Sequence, residues 1–245
     1  MIKDRVLDGV DAIFGYHNWP GLPVGVVGIK DGTILVGNGR LEINIHGKVA
    51  HTAQPQNAIN PTIIGSFIIA EIQTLCEELS ATSSLLNITH FNAGMPNGGM
   101  GDLGKIVGIY YIESLLHLDK VKDIVETTCN KYANKYGTII TVNFNGFHGP
   151  TINTTKETNL VIDTVQECLP ANKLTHLQSP LIAAEDFSEY LKLIKGSFFM
   201  VGNGEKSSAV HTDHYDFNDN IISVAAEILG KVAINYLNSD EMQSV

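Results

Sequence analysis

Between residues 40 and 148 the hydrophobic period of the sequence switches repeatedly, and the order of the switches limits what this chain can fold into. Leu41-Glu42-Ile43-Asn44-Ile45-His46 alternates apolar and polar residues, as a strand with one wet face does. Asn60-Pro61 then opens a helix with Pro in its first turn. Ile64, Ile68, Ile72, Leu75 and Leu79 recur through that helix at helical spacing. Residues 85–91 and 105–112 read as strands around a glycine-rich turn, Asn97-Gly98-Gly99-Met100-Gly101. Leu118, Val121, Val125, Thr128, Tyr132 and Tyr136 line one face of a second helix, and residues 138–147 alternate again as a strand. The order β-α-β-β-α-β is the split arrangement of a ferredoxin-like layer. Helices on one face of such a sheet leave the other face, or an edge, open to a partner.

The flanks have a different character. Ile2, Val6 and Val10 lead into an apolar run, Ala12-Ile13-Phe14-Gly15-Tyr16, expected to be a buried strand that ends in the loop His17-Asn18-Trp19-Pro20-Gly21. Residues 24–30 and 33–36 flank Asp31-Gly32, the dipeptide favoured by a type I′ hairpin. After Gly149-Pro150, helices are expected over 156–168 and 184–193, with a short apolar strand at 197–201. A closing helix starts near Asn218-Asp219, with Ile221, Ile222, Ala225, Ile228, Leu229, Val232 and Tyr236 as its buried stripe. The expected fold is α/β: residues 1–36 and 151–245 form one α/β domain, and a small α+β domain, residues 37–150, is inserted into it.

Composition narrows the partners. Sixteen Lys and Arg against 26 Asp and Glu give a net charge of −10 over 245 residues, which disfavours nucleic acid and anionic membrane surfaces. The longest apolar runs, such as residues 63–70, fall short of the roughly 20 residues of a membrane span. The amino terminus lacks the apolar core of a secretory signal. Cys76, Cys129 and Cys168, odd in number and scattered, suit a reducing compartment. A cytoplasmic location is expected.

Four segments hold candidate chemistry. His17 stands where an apolar strand runs into a Trp-Pro-Gly loop, the strand end at which ligands gather in α/β sheets. Taken alone, a histidine hydrogen-bonded in a turn is the plainer reading. Val210-His211-Thr212-Asp213-His214-Tyr215-Asp216-Phe217-Asn218-Asp219 offers imidazoles and carboxylates suited to zinc or manganese, although acids before a helix also favour its dipole. His51 follows the first strand of the inserted domain, and Glu185-Asp186 begins a helix. Each has an ordinary reading, as an exposed loop residue and as helix-start acids. The sequence carries no phosphate-binding loop, no H-E-x-x-H and no G-x-S-x-G.

Five ordered segments add up to more than any one of them: Phe14-Gly15-Tyr16-His17-Asn18-Trp19-Pro20-Gly21-Leu22-Pro23-Val24-Gly25; Gly47-Lys48 through His51-Thr52-Ala53 to Pro55; Ala184-Glu185-Asp186-Phe187-Ser188; Gly202-Asn203-Gly204; and His211 through His214-Tyr215-Asp216-Phe217-Asn218-Asp219. Over nearly the whole chain they resemble the metal-dependent N-acyl-amino-acid amidohydrolases. These are the hippurate hydrolase, auxin-conjugate hydrolase and N-acetyldiaminopimelate deacetylase types of the dinuclear-metal aminoacylase and carboxypeptidase superfamily. The resemblance implies a catalytic α/β domain with an inserted lid or dimerisation domain, and a homodimer formed through that insert. It implies hydrolysis of N-acyl amino acids to a carboxylate and a free amino acid, assisted by a divalent metal (zinc, manganese or cobalt).

Carried over residue by residue, the resemblance makes His17 and His211 metal ligands and His214 a neighbour of the site. It makes His51 the lid histidine that steadies the tetrahedral intermediate in the partner's active site, and Glu185 an acid beside the substrate. The sequence also departs from the family. The early His-x-Asp-x-His motif and the Glu-Glu pair, which holds the general base, are not in it. Asn97-Gly98-Gly99-Met100-Gly101-Asp102 replaces the usual Asn-Val-Ile-Pro-Asp turn, Tyr111 takes the place of an arginine, and Gln56 that of a second histidine. These departures imply an incomplete metal site and a chain inactive alone; the alternative to an amidohydrolase is a catalytically inactive truncated remnant, or one half of a split enzyme acting as a binding or dimerisation module.

Overall fold

The computed structural model describes residues 1–79, 85–95 and 99–241; Asn97 and Gly98 of the glycine-rich turn lie outside them. In chain order the elements are β1 (Ile13–Pro20), β2 (Val27–Ile29), β3 (Gly32–Leu35), β4 (Gly37–His46), α1 (Pro61–Leu79), β5 (Leu85–Ala93), β6 (Leu103–Ile112), α2 (Leu115–Tyr136), β7 (Ile140–His148), β8 (Thr151–Asn153), α3 (Thr155–Cys168), β9 (Leu174–His176), α4 (Phe187–Leu191), β10 (Gly196–Gly204) and α5 (Asn220–Glu241). They fall into two compact units. The first comprises residues 1–35, 151–181 and 185–245, the second residues 36–150 with 182–184.

The second unit is built on a four-stranded sheet of order β5-β6-β4-β7, antiparallel at every pairing. In β4 the alternation expected from the sequence is realised, with Leu41, Ile43 and Ile45 fully buried. These side chains meet Ile64, Ile68 and Ile72 of α1 and Leu118, Val121 and Val125 of α2 in one hydrophobic core. Asn60 Oδ1 accepts the Thr62 N–H (3.0 Å) at the start of α1. Ser114 caps α2 by accepting the His117 N–H (3.3 Å), and Gly137, at φ 62°, ends it in the left-handed conformation glycine adopts without strain. Leu75 and Leu79 are only half-buried, because Cys76 takes the inward position in that turn of α1.

The first unit holds a mixed sheet of order β1-β10-β2-β9 and a two-stranded piece, β3-β8. β10 is buried along its length apart from its last residue, while β1, an edge strand paired only to β10 and parallel to it, is half-buried throughout. Val161 and Val165 of α3 join Ile221, Ala225, Ile228 and Val232 of α5 in the core, against Val27, Ile29, Phe199 and Val201. Asn153, at the end of β8, is buried and fastens the unit internally. It donates to the carbonyls of Lys30 (2.9 Å) and Phe198 (2.8 Å) and accepts the Phe198 N–H (2.7 Å).

Several local expectations are corrected here. β1 does not end at Tyr16; it continues through His17, Asn18 and Trp19 to Pro20. Proline is tolerated because β1 is an edge strand and its register shifts between Trp19 and Pro20. Asp31-Gly32 does not make a hairpin, since β2 and β3 belong to different sheets. A type I′ turn needs positive φ at both residues, and only Gly32 (71°) has it. Asp31 instead accepts the Gly32 N–H (2.9 Å) and the Thr155 hydroxyl (3.1 Å). The helix expected over 184–193 shrinks to α4, five residues that start after Asp186. Ile222 points outward, 53% exposed. Among the described residues α5 is long and apolar enough to cross a membrane, at mean hydropathy 1.2, but its Ile221, Ala225, Ile228 and Val232 stripe is part of the core.

Candidate active site

The first unit carries three of the four candidate residues. On β1 the period of two turns Phe14 and Tyr16 toward the core and Gly15, His17 and Trp19 to the other face. Gly15 is required there: a Cβ at this position would stand 2.8 Å from the Phe187 ring, which packs against Phe198 at 4.8 Å between centroids. That packing brings the start of α4, and Glu185 with it, beside β1.

His17 is half-buried, and its Nδ1 lies 2.5 Å from the Asn18 carbonyl oxygen. A carbonyl can only accept, so a hydrogen bond here uses the tautomer with its proton on Nδ1, which leaves the Nε2 lone pair open to a ligand. A backbone carbonyl behind a metal-binding imidazole is a common arrangement of such sites. Glu185 is half-buried close by. Burial pushes its carboxyl above the ordinary carboxylate value, and the hydrogen bond and charge of Asp186 add to the push; the Phe187 N–H and, whenever its ring is protonated, His17 oppose it.

His211 sits in the loop 205–219 between β10 and α5 and is exposed, at φ 64°. Positive φ is uncommon for residues other than glycine, though histidine adopts it more often than most. The loop is tied to β1 through the Tyr215 hydroxyl, which accepts from Asn18 Nδ2. Burial, followed by the Asp216 charge, pushes the Tyr215 phenol up, and the Asn18 bond opposes this. His214 is exposed and lies 3.6 Å from the equally exposed Asp213, a solvated pair of little energetic weight. A cavity of about 500 Å³ opens at the root of this loop, lined among others by Val24, Asn203, Ser207 and Asp216. None of His17, Glu185 and His211 lines it.

His51 belongs to the second unit, on an exposed turn. Its Nδ1 accepts the Ala53 N–H at 3.2 Å. Its neutral ring therefore keeps the proton on Nε2, the opposite tautomer to His17.

A dinuclear centre needs about five protein donors and a bridging water. Among the described residues no three His, Cys, Asp or Glu side chains come together as a metal cluster. The donors present therefore do not fit a two-ion centre. Asn18, Tyr215 and Asn203 lie within the ordered segments of the sequence, which give them no role of their own; in the structure they fasten the site rather than supply its donors.

The sequence pattern of Peptidase family M20/M25/M40 matches residues 1–235. An N-acetyl-L-cysteine deacetylase of Bacillus subtilis is 28% identical over all of this chain and 58% of its own length. An IAA-amino acid hydrolase of Arabidopsis thaliana is 27% identical over 97% of this chain and 56% of its own. The chain thus spans about three fifths of the length of the curated relatives it matches. Among solved structures, one from methicillin-resistant Staphylococcus aureus has a TM-score of 0.86 at 21% identity, covering 96% of this chain and 62% of that one. A dinuclear metal-binding peptidase from Bacillus subtilis has 0.81 at 23%, covering 97% and 60%. At these identities the two structures share the α/β fold.

Proposed function

This chain belongs to peptidase family M20/M25/M40, and from that premise we propose that it serves the metal-assisted hydrolysis of N-acyl amino acids to a carboxylate and a free amino acid. The observation that carries the proposal is the pair of opposite contacts at the two Nδ1 atoms: a carbonyl, which can only accept, faces His17, and an N–H, which can only donate, faces His51. His17 presents a lone pair at Nε2, as a metal ligand must, and His51 presents an N–H at Nε2, as an oxyanion donor must. His211 is the second ligand, and Glu185 borders the substrate. A bound zinc, manganese or cobalt ion would act as a Lewis acid. In a homodimer formed through residues 37–150, His51 of one subunit donates to the oxyanion that develops on the acyl carbonyl at the other's site.

Two imidazoles hold at most one ion, so the 245-residue chain by itself is expected to hydrolyse hippurate-like and N-acetyl substrates at near-background rates. The net charge of −10 and three cysteines outside disulfides agree with a cytoplasmic enzyme of small molecules that binds neither nucleic acid nor membrane.

The test mixes the chain with a separate polypeptide bearing the family's amino-terminal metal motifs. Release of free amino acid that His211→Ala and His51→Ala each abolish, the latter with unchanged metal content, supports the proposal. Turnover indifferent to both variants overturns it. The sparse donor set favours a second reading, a non-catalytic dimerisation module; in that case the mixture dimerises but releases no amino acid.

A further inference from the structure

The loop that carries His211 and Tyr215 runs over residues 205–219 outside any strand or helix, so backbone ladders do not hold it. One side chain reaches both of its ends. Asn203, the penultimate residue of β10, is only 3% exposed. Its Nδ2 donates to Ser207 Oγ at 2.6 Å, near the start of the loop, and to the Asp216 carbonyl at 2.9 Å, near its close. Its Oδ1 accepts the Asn218 N–H at 2.9 Å, and its main-chain carbonyl accepts from Asn218 Nδ2 at 3.3 Å.

A primary amide has two donors and an acceptor with two lone pairs, and here both donors and one lone pair serve a single loop. No residue with only donors or only acceptors could make the same set. The strand behind Asn203 is itself pinned. Gly202 lies so close to the Pro23 carbonyl that a Cβ would collide with it, and the Gly21 N–H donates to the Gly204 carbonyl (3.0 Å). Asn203 therefore ties the loop to a fixed point.

We propose that Asn203 is a positioning residue: it clasps loop 205–219 at both ends and so sets where His211 and Tyr215 stand relative to the end of β1. Its importance for catalysis rests on the ligand role proposed for His211, but the clasp does not, and the two can fail separately. The Asn203 hydrogen bonds to Ser207, Asp216 and Asn218 all go to this loop, and it acts through the loop.

Backbone amide hydrogen exchange on the 245-residue chain tests the clasp, with Asn203→Ala and Ser207→Ala compared to the parent. In Asn203→Ala, exchange across 205–219 is expected to rise by about tenfold or more, most at Asn218, as when a buried polar pairing is broken. Exchange in β2 and the buried face of α5 stays within about twofold. The ¹³Cζ resonance of Tyr215, assigned with Tyr215→Phe, moves toward that of an exposed tyrosine. Ser207→Ala removes a single arm and gives a smaller rise confined to the start of the loop; it decides the matter should Asn203→Ala fail to fold. Unchanged exchange in the loop, or a rise spread evenly over β2 and α5, overturns the proposal. No activity enters the measurement, so a failed hydrolase reading leaves it intact.

Discussion

The two units put their polar side chains to different uses. In the second they close helices and link them. Asn60 and Ser114 satisfy helix-start N–H groups, and Glu71 of α1 takes Lys131 (2.6 Å) and the Tyr132 hydroxyl (2.8 Å) of α2. All this happens at the surface of a core that apolar periodicity already specifies. In the first unit buried asparagines fasten the strands and loops: Asn153 joins β8 to β10, and Asn203 holds the His211 loop. In the first unit, His211 rides on the loop that Asn203 holds, and that loop is tied through Tyr215 to Asn18, the neighbour of His17 on β1. A unit shaped by hydrophobic pattern alone makes a stable platform, whereas presenting reactive side chains at chosen points takes directional bonds.

The comparison can be broken most sharply in the two cores. Ile68→Ala should destabilise the second unit by about 2–5 kcal/mol, and Phe199→Ala the first by about 3–5 kcal/mol, as full burial dictates. Two transitions in denaturant, each variant lowering one, would mean that the units unfold separately. An equal shift of one shared transition would mean that the difference drawn between them has no energetic counterpart.

Next in size is a contrast of polar groups. Asn153→Ala strands a buried N–H and two carbonyls, and is expected to cost about 1–3 kcal/mol for each group left unsatisfied. Ser114→Ala removes one cap and should cost about 1 kcal/mol. If equilibrium unfolding finds the cap to be the costlier loss, the assignment of directional bonds to the first unit is wrong.

What the sequence made legible follows the same division. β4, α1, β6 and α2 announce themselves because each spans enough residues to display its period, and burial of one face enforces that period. β8 and β9, three residues each, are too short to show one. The extension of β1 through His17-Asn18-Trp19-Pro20 was hidden by Pro and Gly, whose turn preference yields when the strand lies at an edge. Asp31-Gly32 misled for a related reason: the Asp31 carboxylate is taken up by Gly32 and Thr155, and no second strand lies alongside β2 in the chain order a hairpin needs. At the site, His17 and His211 stood out by residue type, while Asn18 and Asn203, though within the same ordered segments, gain their importance from three-dimensional neighbours.

A smaller effect sharpens the picture of the second unit's surface. The Lys131 and Tyr132 hydrogen bonds hold the Glu71 carboxyl below the usual carboxylate range. Because the folded value is depressed, the stabilisation is present above the unfolded-state value and fades as pH falls through the folded one. Glu71→Gln should therefore lower stability at neutral pH by no more than about 1 kcal/mol, given the exposed lysine, with the difference vanishing in acid. Thermal melts of parent and variant at both pH values check this; a difference that grows on acidification contradicts the sign.

The most direct test of the whole account is the metal stoichiometry of the purified 245-residue chain after equilibrium dialysis against zinc, manganese or cobalt. With His17 and His211 as its proposed donors and no three-donor cluster among the described residues, the chain should hold at most one divalent ion. That ion should be bound loosely and be lost in His17→Ala and in His211→Ala. Two tightly held ions per chain would contradict the account.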